Sequence, residues 1–142
     1  MGRIVTPVSI ANALDPTKRI ECEALVDTGS SGLVLPLAWK ERLGDFPMVR
    51  TVEMEMANQQ PVVGQVCGPV RVQIEGFDAI ANEVIFLDMT PQDGHYEPLV
   101  GYIILEQSRA AVDLVGHRLI HVKRFDLKAA SRATSCRLGD RK

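Results

Sequence analysis

One aspartate in this chain stands at the end of an apolar run and is followed at once by a turn rich in glycine and hydroxyl groups. The segment reads Ala24-Leu25-Val26-Asp27-Thr28-Gly29-Ser30-Ser31-Gly32. Because an apolar run is normally buried, a carboxylate at its end needs hydrogen bonds or a partner. The glycines permit a tight turn, and three hydroxyls lie beside the acid. A carboxyl group presented in this way is suited to acid–base catalysis, with Asp27 as the catalytic residue.

The segment resembles the active-site loop of aspartic proteases, in which two apolar residues precede Asp-Thr-Gly and then Ser or Ala. A second segment, Leu99-Val100-Gly101, matches the later pattern of that family, two apolar residues and a glycine that open a short helix. The chain resembles the retropepsin-like branch (retroviral-type, clan AA), in particular the short single-domain proteases encoded in bacterial genomes. The resemblance extends from about Arg3 to about Val122 and implies an aspartic endopeptidase in which 99–101 support the catalytic loop.

Hydrolysis by this chemistry needs two carboxyl groups that share one proton, because like charges at close range do not both ionise. The sequence contains one Asp-Thr-Gly. A symmetric homodimer in which each chain contributes Asp27 is the economical solution, and the resemblance implies the same arrangement. The resemblance also implies that Thr28 hydrogen-bonds across the twofold axis and that the substrate is an extended peptide or protein. The alternative is a catalytically silent retropepsin-like module used for binding or dimerisation, since a fold does not fix a function.

The elements that position these residues are predicted to be mainly strands. Alternation of apolar and polar residues predicts a strand over 3–11, a turn at 15–18 and a returning strand over 19–26 that delivers Asp27. Further strands are predicted at 33–35, 49–56, 61–66, 70–74, 79–87, 110–115 and 118–122, and short helices at 37–43 and 102–108. Many short strands with regular turns indicate an all-β fold, a closed and mainly antiparallel acid-protease barrel with one or two short helices.

The hairpin predicted over 49–66 corresponds, by the resemblance, to the flap that closes over the substrate. The residues predicted to bind substrate at its tip are Met56, Ala57, Asn58, Gln59 and Gln60. Related sequences tend to carry Asn-Gly at this tip, and this chain carries Asn58-Gln59. The missing glycine removes the residue that most easily forms a tight turn.

Composition bounds the remaining possibilities. The chain has 142 residues and a net charge of −2, which fits one protease domain over 1–122 followed by a basic tail over 123–142. The tail is expected to be solvated or frayed; a nucleic-acid or membrane-surface arm is the alternative reading of its charge. The tail lacks interleaved aromatic residues and no apolar run could span a bilayer, so neither a nucleic-acid nor a membrane partner is predicted.

Cysteine and histidine usage argues against a metal or a disulfide framework. The three cysteines are odd in number and widely spaced, which favours a reducing cytoplasmic location. His117 and His121 are spaced for metal ligation only on a helix, whereas the local pattern predicts strands around Gly116. No metal and no other cofactor is therefore predicted.

Overall fold

Strands close into a ring in this computed structural model, which describes residues 3–55 and 58–123. The strands are β1 (Val5–Asn12), β2 (Asp15–Val26), β3 (Leu33–Pro36), β4 (Met48–Glu55), β5 (Pro61–Ile74), β6 (Ile80–Leu87), β7 (Leu99–Val100), β8 (Ala110–Asp113) and β9 (Arg118–His121). A 3-10 helix spans Leu37–Leu43 and α1 spans Tyr102–Gln107. Neighbouring strands follow the order β1-β2-β7-β3-β6-β5, and β5 pairs back with β1. The predicted all-β, closed and mainly antiparallel fold with two short helices is confirmed.

Two of the strand pairings are parallel, and both involve the strands that flank Asp27. β2 pairs with β7 through Leu25↔Leu99 and Val26↔Val100, and β3 runs parallel to β6. β3 also pairs with β7, antiparallel, through Leu33↔Val100. The two-residue strand β7 therefore lies between the end of β2 and the start of β3. This position brings the segment around Val100 next to the loop that joins those two strands.

The core fills the inside of the ring, and the strands show the period of two expected when one face is buried. In β2, Ile20, Ala24 and Val26 are buried, while Glu21 and Glu23 are exposed. The largest fully buried side chains of the described residues are Phe86, Ile10, Leu33, Leu35, Leu43, Ile74 and Ile104. The residues on either side of Asp27 are thus fixed by burial, which restricts where its carboxylate can lie.

The first predicted turn is wrong in position. Residues 15–18 belong to β2, and the chain reverses at Ala13-Leu14 instead. The reason is Asn12, whose buried side chain accepts a hydrogen bond from Leu14 N and donates to the carbonyl oxygens of Leu43 and Asp45. A pairing irregularity next to Asn12 then accommodates the extra residues around Pro16. An asparagine that bonds to the backbone of a later segment cannot be recognised from local turn propensity.

Two predicted strands, at 61–66 and 70–74, form one strand. Gly68-Pro69 suggested a break, but β5 continues through it. The pairing of β5 with β6 shifts between Cys67 and Val70, so the proline lies where the ladder is irregular. A proline at such an irregularity does not need to donate a backbone hydrogen bond.

The ring is followed by α1 and the β8–β9 hairpin, which packs against it through Ala110, Val112 and Leu119. The two histidines of this hairpin have different environments. His121 stacks on Phe77, whereas His117 occupies the turn with a φ of 52°. Within 3–55 and 58–123, no helix has the length and apolar composition needed to cross a membrane. The basic tail from 124 onward lies outside the described residues.

Candidate functional site

Asp27 directly follows β2 and is held by β7 and by its own loop, here called the Asp27 loop (27–32). Its backbone N donates to Val100 O at 2.9 Å, which continues the parallel pairing of β2 and β7. Its side chain is half-buried, and Oδ1 accepts a hydrogen bond from Gly29 N at 3.0 Å. Ser30 N also donates to Asp27 O at 3.1 Å. The carboxylate is therefore oriented by Gly29 N, while Val100 and Ser30 hold the main chain of Asp27.

The start of α1 holds the second half of the Asp27 loop. Gly101 N donates to Gly32 O, Tyr102 N to Ser30 O and Ile103 N to Ser31 O, each at 2.9 Å. The first N–H groups of a helix have no partner inside the helix. Here these groups and three loop carbonyls satisfy one another, which links two segments about seventy residues apart in the chain.

Gly101 makes this close approach possible. A Cβ atom at this position would lie 2.4 Å from Ser31 C and 2.5 Å from Ser30 O. Both atoms belong to the backbone, so neither can move aside as a flexible side chain would. Only glycine fits at this position, where the segment Leu99-Val100-Gly101 meets the Asp27 loop.

The structure brings the predicted residues of the Asp27 loop and of 99–101 together. Thr28, Gly29 and Ser31 are exposed on the single chain, and Ser30 is half-buried. Across the described ranges, no hydrogen bond joins the Ser30 hydroxyl to the Asp27 carboxylate, which accepts from Gly29 N instead. The carbonyl acceptors of the loop and the donors Tyr102 and Ile103 were not among the residues predicted from the sequence. Backbone partners carry no side-chain signature; the one local signal was a glycine at the start of a helix.

Ile85 of β6 was also missed, and it connects the Asp27 loop with the β4–β5 hairpin. A Cβ atom added at Gly32 would lie 3.2 Å from Ile85 Cδ1. One added at Gly64 would lie 3.1 Å from Ile85 Cγ2. Gly64 belongs to β5 and pairs with Val52 of β4. The half-buried Ile85 side chain therefore lies between the Asp27 loop and the hairpin, next to Gly32 on one side and Gly64 on the other.

The β4–β5 hairpin pairs from Met48↔Gly68 to Glu55↔Pro61, close to the predicted flap. At its tip, Asn58 Oδ1 accepts a hydrogen bond from Gln60 N at 3.1 Å. Gln59 has a φ of 65°, a left-handed conformation that glycine adopts more easily. Asn58 thus forms the turn with its side chain while Gln59 carries the strain. Met56 and Ala57 lie outside the described residues.

Several ionisable side chains line a surface cavity next to β2. An Arg3–Glu97 ion pair lies at one end of a surface cavity of about 730 Å³ that includes Leu25. Cys22 also borders this cavity, and burial raises the pKa of its thiol to about 11 although Arg42 acts in the opposite direction. Among the described residues, no three His, Cys, Asp or Glu side chains are close enough together to hold a metal ion.

Comparison with solved structures places this arrangement among known folds. The EIAV protease complexed with the inhibitor HBY-793 matches with a TM-score of 0.58 and 22% sequence identity, over 80% of this chain and 94% of that one. The fold is retropepsin-like. A retropepsin-like aspartic protease from Rickettsia conorii matches over 79% of this chain and 85% of that one, at 18% identity, but its TM-score of 0.41 adds no weight.

No protein-family model matches the sequence, and no curated protein matches it significantly. At these identities the likeness concerns the retropepsin-like backbone alone. The chemistry has to be argued from the residues that this backbone brings together.

Proposed function

We propose that this chain is one protomer of a homodimeric aspartic endopeptidase, in which Asp27 from each chain forms the catalytic pair. The observation that carries the proposal is the position of Asp27. Its half-buried carboxylate follows a buried strand, and Gly29 N orients it at 3.0 Å. The neighbouring Thr28 and Gly29 are exposed on the single chain, so a second copy can approach this loop. The retropepsin-like fold and the protease named in the first structural match support the same reading.

The reaction uses two carboxyl groups with different protonation states. One ionised Asp27 removes a proton from a water molecule, whose oxygen attacks the carbonyl carbon of the peptide bond. The protonated Asp27 of the partner donates its proton to the carbonyl oxygen. The first Asp27 then passes the proton that it took from water to the nitrogen, and the C–N bond breaks. One hydroxyl of the intermediate returns its proton to the Asp27 of the partner, which leaves a carboxyl and an amine product and restores the catalytic pair. Because one carboxyl group has to be ionised and the other protonated, activity is expected to follow a bell-shaped pH profile below neutrality.

The β4–β5 hairpin is proposed to be the flap, with Asn58, Gln59 and Gln60 at its tip together with Met56 and Ala57. Ile85 lies between Gly64 of this hairpin and Gly32 of the Asp27 loop, so the hairpin adjoins that loop. An extended peptide that binds along the hairpin can add its backbone to a strand edge. Closure of the flap over the peptide would exclude water from the reaction. We place this activity in the cytoplasm, in line with Cys22 and Cys67, which are both free.

Hydrolysis by the wild-type chain and by Asp27→Asn tests the proposal. With an unstructured protein as substrate, the wild type should cleave and Asp27→Asn should fold, dimerise and lose turnover. The matched control is Asp93→Asn, an exposed acid in the loop before β7. Near wild-type cleavage by Asp27→Asn would rule out the catalytic assignment. A dimeric wild type without cleavage would favour the silent binding module.

The homodimer is tested by dilution. Because each chain supplies half of the active site, specific activity should fall as the protein is diluted through its dimer dissociation constant. Sedimentation velocity at the same concentrations should show the dimer disappearing in parallel. Constant specific activity from a species that sedimentation shows to be monomeric would contradict the dimeric site.

A further inference from the structure

One part of the β4–β5 hairpin pairs with a third strand, and the described part nearer the tip does not. β4 and β5 pair along the whole hairpin, but β6 joins β5 only from Gln65 onward, through Gln65↔Phe86 and Val66↔Ile85. On the tip side of this rung the described hairpin consists of two strands alone. A two-stranded ribbon is marginally stable in water, whereas a third strand gives it a supported face. Motion of the hairpin is therefore expected to begin at this rung.

An ion pair lies at the same rung and connects two strands that are not neighbours. Arg50 of β4 pairs with Val66 of β5. Its guanidinium reaches across β5 to Glu83 of β6, with Nη1 donating to Oε1 and Nη2 donating to Oε2, each at 2.8 Å. Two parallel hydrogen bonds of this kind fix both distance and orientation. In the described sheet β4 has backbone partners only in β5, so this side-chain pair holds it directly to the wall of the ring.

The Glu83 end of the pair is itself anchored. Glu83 N donates to Asn82 Oδ1 at 2.7 Å, and Asn82 Nδ2 donates to Gln107 Oε1. Gln107 is the last residue of α1, and the first residues of α1 hold the carbonyls of the Asp27 loop. The fixed side of the pair thus belongs to the same rigid body as the catalytic loop. When the ion pair breaks, Arg50 is therefore the partner expected to move.

We propose that Arg50 and Glu83 are positioning residues that set the pivot of the flap, so that the hairpin moves on the tip side of Arg50 and stays fixed on the other side. The proposal takes the role of the hairpin as a flap from the proposed function. The motion itself is independent of hydrolysis, so either proposal can fail without the other.

The exposure of the pair sets the expected size of the effect. The Arg50 and Glu83 side chains are 57% and 43% exposed, and exposed ion pairs contribute little unless their geometry is bidentate, as it is here. Hydrogen bonding to Arg50 also lowers the pKa of Glu83 from its ordinary value. The pair should therefore change local opening of the hairpin severalfold without deciding whether the chain folds.

Amide hydrogen exchange of the full chain tests the pivot, with Arg50→Gln, Glu83→Gln and the double variant. The amides within 49–51 that donate to β5 should exchange about fivefold faster in each single variant, and no faster in the double, because both substitutions remove one interaction. The matched control is Arg19→Gln, which breaks the exposed Arg19–Glu21 pair on β2. It should leave the hairpin unchanged.

Urea unfolding of the same variants separates local from global effects. Equal unfolding free energies with faster exchange of the β5-bonded amides within 49–51 support the pivot. Unchanged exchange at these amides, the same acceleration in Arg19→Gln, or multiplied effects in the double variant would each overturn it. Loss of protection throughout the ring, including β1 and β2, would also overturn it, since the pair would then stabilise the whole fold.

Discussion

The Asp27 loop and the β4–β5 hairpin lie on either side of Ile85, and they are built in opposite ways. The loop is held by backbone hydrogen bonds to β7 and α1, and Gly101 leaves no room for even one more carbon atom. The hairpin has two strands on its tip side, exposed residues along its edge and a turn formed by an asparagine side chain. Chemistry at a carboxylate needs fixed geometry, whereas capture of an extended peptide needs a segment that opens.

The means of attachment also differ between the two regions. The loop is tied by main-chain groups, which a side-chain substitution cannot remove except by steric conflict. The hairpin is tied by Arg50 and Glu83, which single substitutions and pH can both weaken. The geometry of the Asp27 loop is therefore predicted to be insensitive to most side-chain substitutions, while opening of the hairpin is predicted to respond to substitutions and to pH.

The largest expected effect is that of Gly101→Ala. The new Cβ atom would lie 2.4 Å from Ser31 C, so the start of α1 has to move away from the loop. We expect a loss of about 3 kcal/mol or more in unfolding free energy, with loss of activity. The control is Gly32→Ala, whose Cβ atom would meet only the flexible end of Ile85 at 3.2 Å and should cost about 1 kcal/mol. Equal unfolding free energies for the two variants would show that the loop is not rigidly held.

Amide hydrogen exchange in the free protein compares the stability of the Asp27 loop with that of the hairpin. The amides of Gly101, Tyr102 and Ile103 donate to loop carbonyls and should exchange about a hundredfold more slowly than those of 62–64. A statine-type inhibitor should slow the hairpin amides, because its backbone supplies new partners, and should change the loop amides little. Equal protection of hairpin and loop in the free protein would mean that the hairpin is a fixed wall.

Acid should loosen the hairpin before it affects the loop. Because Arg50 lowers the pKa of Glu83 below its ordinary value of 4.5, the stabilisation is complete above that value. It is lost as the pH falls through the lower pKa of the folded state. Exchange of the β5-bonded amides within 49–51, corrected for intrinsic rates, should therefore accelerate below about pH 4.5. In Glu83→Gln this acceleration should be absent; if it persists, another group controls the hairpin in acid.

The smallest effect is expected at the hairpin tip. Gln59 has a φ of 65°, so Gln59→Gly should relieve strain and raise the unfolding free energy by about 0.5 kcal/mol. Gln59→Val should lower it by about 1 kcal/mol, because a β-branched residue is least tolerated in this conformation. Chemical denaturation of both variants checks the sign. A stabilising valine would indicate that the turn adopts a different backbone conformation.

The sequence by itself determined the strand character of the chain and the identity of the catalytic candidate. Alternating burial along β2 follows from its alternating residues, and Asp27 follows at its end. The association of Leu99-Val100-Gly101 with the Asp27 loop was accessible only through the resemblance. These features are local patterns, and local patterns are set by steric and hydrophobic preferences of neighbouring residues.

The tertiary structure alone decided which distant groups meet. The first turn lies at Ala13-Leu14 because Asn12 bonds to the backbone near Leu43, and β5 continues through Gly68-Pro69 because the pairing is irregular there. Ile85, the loop carbonyls and the Arg50–Glu83 pair likewise become functional candidates only through contacts between segments far apart in the chain. Such contacts depend on strand register and closure of the ring, which no single stretch of residues encodes.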